Sequence, residues 1–164
     1  MKRKSKALYL TRGAVVGASY VVLTYLSAIF GLSSGVIQLR ISEALCILPI
    51  FMPEAIPGLF IGCIISNLIT NAVIWDVIFG SLATLIGAFG ARLLRKLPTK
   101  FIWCATLPTV LSNAVIVPLV LIYAYMVADT YFFILATVTV GEVLSATMCG
   151  SALYFALRKS KFLN

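Results

Sequence analysis

The chain has 164 residues, 62% of them hydrophobic and only 11% charged, with a mean hydropathy of +1.08. Soluble domains carry roughly 25% charged residues, so this is an integral membrane protein, and its length leaves no room for a soluble domain beside the membrane unit. The net charge of +8 lies in clusters flanking apolar runs, as at cytoplasmic membrane ends, which excludes a nucleic-acid footprint.

The first segment runs from about Gly13 to Leu32. At about 20 apolar residues it exceeds a signal-peptide core and is long enough to span a bilayer, although Lys2, Arg3, Lys4 and Lys6 precede it. Gly13/Gly17 and Ala14/Ala18 form two small-xxx-small pairs along it. Without large side chains two helix backbones can meet, either within the chain or against another membrane protein.

Residues 33–40 read as a loop with Gly35, in which an extended backbone points Gln38, Arg40 and Ser42 to one side. Ser42 is placed to cap a helix from Glu43 to about Met52, only ~15–18 Å long and too short to span unaided. Pro53 and Pro57 mark a turn, with Glu54 expected as a solvated turn residue. A second limb, from Ile56 to Val73, returns through the membrane and carries Asn67 and Asn71 near its end.

Trp75 is an interfacial aromatic, and Asp76 suits the cap of the next helix, from Val77 to about Leu94. Gly80, Ala83, Gly87 and Gly90 give that helix a close-packing face; Arg92, Arg95, Lys96 and Lys100 stop it. The fifth segment, Phe101 to Tyr125, contains Pro108 and Pro118 with Asn113 between them. The sixth, Tyr131 to Leu157, carries Glu142 eleven residues in, and Arg158, Lys159 and Lys161 follow it.

The positive-inside rule places both termini and residues 92–100 in the cytoplasm. The expected fold is therefore an all-α, single transmembrane domain over residues 1–164, a six-helix bundle with a short, proline-broken second helix. Twelve of the thirteen basic residues then lie on the cytoplasmic side, and Arg40 lies outside next to Glu43. Charges deep in a membrane face a cavity or a partner. Arg40, Glu43, Asn67, Asn71, Asp76, Asn113 and Glu142 are thus expected to line an outward-facing pocket. Structural alternatives stand beside this: an Arg40–Glu43 ion pair closing the loop, caps at Asp76 and Asn71, and Asn113 satisfying a carbonyl freed by Pro118.

Catalytic signatures do not appear. There is no Walker lysine loop, dinucleotide turn or His-based triad, and a chain without His or a Cys-x-x-Cys pair offers no zinc or redox site. Cys46, Cys63, Cys104 and Cys149 lie in apolar runs and read as packing residues. Glu43 and Glu142 alone do not make a two-carboxylate hydrolase. The chain reads as a membrane binding protein without a cofactor, not an enzyme.

Gln-Leu-Arg-Ile-Ser-Glu-Ala-Leu (38–45), Glu-Ala-Ile-Pro-Gly-Leu-Phe-Ile-Gly-Cys (54–63), Trp-Asp-Val-Ile-Phe-Gly-Ser-Leu-Ala-Thr-Leu (75–85), Leu-Pro-Thr-Val-Leu-Ser-Asn-Ala (107–114) and Val-Gly-Glu (140–142) resemble the QueT family. That resemblance implies the substrate-binding (S) component of an energy-coupling-factor (ECF) transporter for queuosine precursors, in a bacterial cell membrane. It implies partners too: a transmembrane coupling subunit and two cytoplasmic ATPases, with Ala14/Ala18 matching the superfamily's docking pattern and Gly13/Gly17 beside them. The implied ligand, a 7-deazapurine such as preQ0, preQ1 or queuine, offers N–H donors that a carboxylate can accept, a carbonyl, and in some forms a cationic arm. The alternatives are an S component for another vitamin and a stand-alone carrier; no internal repeat supports the latter.

Overall fold

The computed structural model describes residues 6–32 and 38–159, and all regular structure in them is helical. Gly35 and most of the expected extended loop, and the basic residues Lys2, Arg3, Lys4 and Lys161, lie outside the described residues. Four helical stretches are long and apolar enough to cross a membrane: Lys6–Ile29, Ile74–Lys96, Thr99–Tyr123 and Tyr131–Lys159. Two shorter apolar helices, Ile41–Ile50 and Ala55–Ile69, lie between the first and second.

Helix α1 (Lys6–Ile29) buries Gly13, Val16, Gly17, Tyr20, Thr24 and Ser27, a row at helical spacing that turns inward. The segment Ile41–Ile50 follows as a 3₁₀ helix, not the α-helix expected from the sequence. Ser42 does not cap it; the residue sits inside the helix and shares a 2.8 Å hydrogen bond with Thr24. Helix α2 (Ala55–Ile69) then packs along α1, the most extensive helix contact in the protein.

That contact explains two of the sequence's glycines. A Cβ on Gly58 would lie 2.3 Å from the Gly13 carbonyl oxygen, and one on Gly62 would lie 2.8 Å from that of Gly17. Gly13 and Gly17 are therefore buried against α2, so, of the two alternatives the sequence left open, their closest contact is within the chain. Ala14 and Ala18, one position round the helix, remain exposed.

Helix α3 (Ile74–Leu93) packs on α4 (Leu107–Tyr123) through small residues, as its glycines predict. A Cβ on Gly87 would meet Thr109 Oγ1 at 2.4 Å, and one on Gly90 would meet Pro108. A 3₁₀ stretch, Thr99–Thr106, leads into α4, and Pro108 falls at the start of α4, where its missing N–H costs no hydrogen bond. The last stretch joins α5 (Tyr131–Glu142), a π segment (Val143–Cys149) and α6 (Gly150–Lys159).

The described basic side chains other than Arg40 collect at one end of the bundle, where α1 begins and α3 and α6 finish. Arg92 donates there to the Pro49 and Ile50 carbonyls, and Arg158 reaches Thr99. Glu54, expected in solvent, is fully buried at this basic end with Arg12 3.4 Å away. It closes the turn between the 3₁₀ helix and α2 onto α1. Large apolar side chains such as Leu10, Val15, Ile86, Leu111 and Val115 cover the exterior, as lipid contact requires.

Candidate functional site

The polar side chains form two layers. The layer nearer the opposite end is built on the start of α3. Arg40 lies 3.5 Å from Asp76 Oδ2, so its salt-bridge partner is Asp76 and not Glu43, the pairing that stood as a structural alternative. Asp76 is two residues inside α3 and makes no cap hydrogen bond. Its Oδ2 also accepts from the Tyr125 hydroxyl at 3.2 Å. Partial burial pushes the Tyr125 phenol above its ordinary range, so that hydroxyl keeps its proton. Asn67 Nδ2 donates to the Asp76 carbonyl at 3.2 Å and ties α2 to α3.

Asn71 does not join this layer. Its side chain is exposed and its backbone is left-handed, with φ 56°. The Asn71 N–H bonds Leu68 O at 3.2 Å and the Ala72 N–H bonds Asn67 O at 2.9 Å, which closes the end of α2. The helix-end role is the one the geometry gives it.

The deeper layer lies about halfway through the bundle. Tyr20 is nine residues before the end of α1, Asn113 ten before the end of α4, and Glu142 eleven after the start of α5. At 1.5 Å per residue these depths are ~14, ~15 and ~17 Å, so three helices deliver polar groups to one level. The 3₁₀ helix brings Glu43 there too, deeper than the expected surface position. Glu43 Oε1 accepts from the Tyr20 hydroxyl and Oε2 from the Cys46 thiol at 3.2 Å. Residues three apart eclipse in a 3₁₀ helix, which is why Cys46 sits beneath Glu43.

Glu142, 6% exposed, is within electrostatic reach of Glu43 and Arg40 and has Asn113, 3% exposed, beside it. Glu142 Oε2 and Asn113 Nδ2 have no hydrogen-bond partner among the described residues. Asn113 therefore does not spend its amide on a carbonyl freed by Pro118. The two side chains interact with each other, but Glu142 Oε2 and Asn113 Nδ2 are left without a well-formed hydrogen bond, a costly state in a dry interior unless something else binds them. Ser145 Oγ, buried on the π segment three residues on, is likewise unpartnered among the described residues. π segments inside α-helices recur at functional sites.

Close backbone approach holds this level together. A Cβ on Gly141 would lie 2.1 Å from the Gln38 carbonyl oxygen, so only glycine lets the 38–40 segment run against α5 beside Glu142. Tyr20, Ser145 and Tyr125 were not singled out in the sequence. The signal for Tyr20 was present, since it follows Gly13 and Gly17 at helical spacing on the buried face.

An apolar exterior around buried carboxylates, a guanidinium and amides defines a membrane transport protein, because ionisable groups at that depth mark a substrate path. The chain belongs to the QueT transporter family, whose model matches residues 10–159. It is 35% identical over 102 residues to the queuosine precursor transporter QueT of Lactococcus lactis subsp. cremoris (strain MG1363), a match covering 62% of this chain. The chain spans 60% of the length of that relative. No solved structure matches it.

Proposed function

We propose that this chain is the membrane-embedded substrate-binding component of an ECF-type transporter, capturing a 7-deazaguanine precursor of queuosine from outside the cell. Membership of the QueT transporter family supports the transport role, and the name of the Lactococcus relative supports the substrate. The observation that carries the site is the unpartnered pair of Glu142 Oε2 and Asn113 Nδ2 in the dry centre of the bundle. A guanine-type edge sets N–H donors beside a carbonyl, the complement of that pair. Arg40, Asp76 and Asn67 cover the site toward the outer end.

In this reading the two short helices form a hairpin that completes six crossings, and the basic end is cytoplasmic. A cysteine introduced at Lys96 in a cysteine-free chain should resist an impermeant thiol reagent added to intact cells. One introduced at Asp129 should react. Labelling of the Lys96 position from outside would reverse the orientation.

A coupling subunit docks in this reading on the groove between α1 and α2. The groove has a volume of about 580 Å³ and is lined by Ala14, Ala18, Pro57 and Ile61, with Gly13 and Gly17 in its floor. Ala18→Leu should lower ATP-dependent uptake of 7-aminomethyl-7-deazaguanine in a reconstituted system with the coupling subunit and two ATPases. Binding by the isolated chain should stay intact, since Ala18 is exposed and faces away from the buried cluster. Uptake without ATP or a coupling subunit would make this a stand-alone carrier, and binding of a different vitamin in place of the deazaguanine would reassign the substrate.

A further inference from the structure

We infer that the site selects a ligand carrying a protonated amine, which sits against Glu43 while Glu142 and Asn113 hold the ring edge. This rests on the reading of the chain as a 7-deazaguanine-binding component. The charge balance of the cluster carries it. In this cluster three buried carboxylates, Asp76, Glu43 and Glu142, stand with one described guanidinium, Arg40. Arg40 is committed to Asp76 at 3.5 Å. Glu43 and Glu142 feel each other and Arg40 electrostatically, but among the described residues neither has a cation at salt-bridge distance.

The donors on Glu43 do not repair this. The Tyr20 hydroxyl and the Cys46 thiol are neutral; they fix the carboxylate in place without cancelling its charge. A carboxylate has about four acceptor positions, so Glu43, with two of them used, keeps capacity for further donors. The Glu142–Asn113 pair is a second, independent pointer to a ligand, because each is more than nine-tenths buried and each leaves a polar atom unpartnered. Uncompensated charge in a dry interior must be neutralised, either by protons taken up by the carboxylates or by a cation arriving with the ligand. A ligand amine accomplishes both tasks at once, since it donates to a free acceptor position of Glu43 and supplies the missing charge through a charge-assisted hydrogen bond.

The test compares 7-aminomethyl-7-deazaguanine with its 7-hydroxymethyl analogue, nearly the same in shape but uncharged, on the full chain in lipid nanodiscs at pH 7. Wild type should bind the amine on the order of 10- to 100-fold more tightly. Glu43→Gln, which keeps shape and removes charge, should erase most of that ratio by weakening the amine alone. Equal affinities in wild type overturn the amine inference and leave the deazaguanine reading standing. Loss of both ligands to the same degree in Glu43→Gln assigns Glu43 to the scaffold and overturns its role at the amine. Failure of wild type to bind either base overturns the deazaguanine reading and this inference with it. Should Glu43→Gln fail to fold, the wild-type ratio decides the selection by itself.

Discussion

Glu142→Gln should lower the affinity for a 7-deazaguanine by roughly 30-fold to several-thousand-fold, or about 2–5 kcal/mol. The substitution preserves volume and turns an acceptor oxygen into a donor amide. In the native site Glu142 Oε2 has no hydrogen-bond partner among the described residues and Asn113 lies beside it. A ligand N–H that met a carboxylate then meets another N–H, and the charge-assisted bond becomes a repulsive contact. Folding should survive, because a buried carboxylate near Glu43 is replaced by a neutral group that costs less to dehydrate. Titration calorimetry gives the affinity and a thermal melt checks the fold. An unchanged affinity would take Glu142 out of the binding site.

Gly58→Ala should destabilise the protein by about 1–3 kcal/mol, the usual range for overpacking a tight contact. The added methyl would lie 2.3 Å from the Gly13 carbonyl oxygen and 3.1 Å from its carbon. Both belong to helix backbone, so no side-chain rotation relieves the clash and α1 and α2 must separate. Separation also moves Tyr20 and loosens its hold on Glu43. The melting temperature in detergent should drop by several degrees, while Ala18→Leu, on the exposed side of α1, leaves it unchanged. Equal melting temperatures for Gly58→Ala and wild type would mean that the two helices are not in backbone contact.

Hydropathy and basic clusters located the helical segments, because lipid solvates the whole length of a helix and leaves a continuous signal. They did not reveal pairings between segments. Arg40 and Glu43 are three apart in sequence, and an ion pair closing the loop stood among the alternatives; Arg40 instead reaches Asp76 on α3. That choice depends on how the 38–40 segment lies against Gly141, a contact between distant parts of the chain. Glu54 looked like a turn residue because prolines flank it, yet Arg12 from α1 covers it. The small residues of α1 signalled close approach correctly but not its partner, since two adjacent stripes, Gly13/Gly17 and Ala14/Ala18, differ by one position. Only the facing Gly58 and Gly62 decide which stripe turns inward. Glu142 and Asn113 were legible as buried polar residues because they lie eleven and ten residues from helix ends, and the structure buries both.

The 3₁₀ form of Ile41–Ile50 restricts how the length of this chain can vary. At about 2.0 Å per residue the segment's ten residues reach ~20 Å, where an α-helix would reach ~15 Å, so its far end meets Arg92 without an added turn. With about three residues per turn, each step along it rotates the side chain by roughly 120°. Glu43, Cys46 and Pro49 make one row, and Ala44, Ile47 and Ile50 the next. Deleting a single residue upstream of Glu43 within the segment would keep its composition nearly intact while bringing the apolar row round to Tyr20 and carrying the carboxylate away. Insertions and deletions should therefore be excluded from this short stretch more strictly than substitutions, and tolerated in the 128–130 connection beyond Tyr125, where no row has to stay in phase.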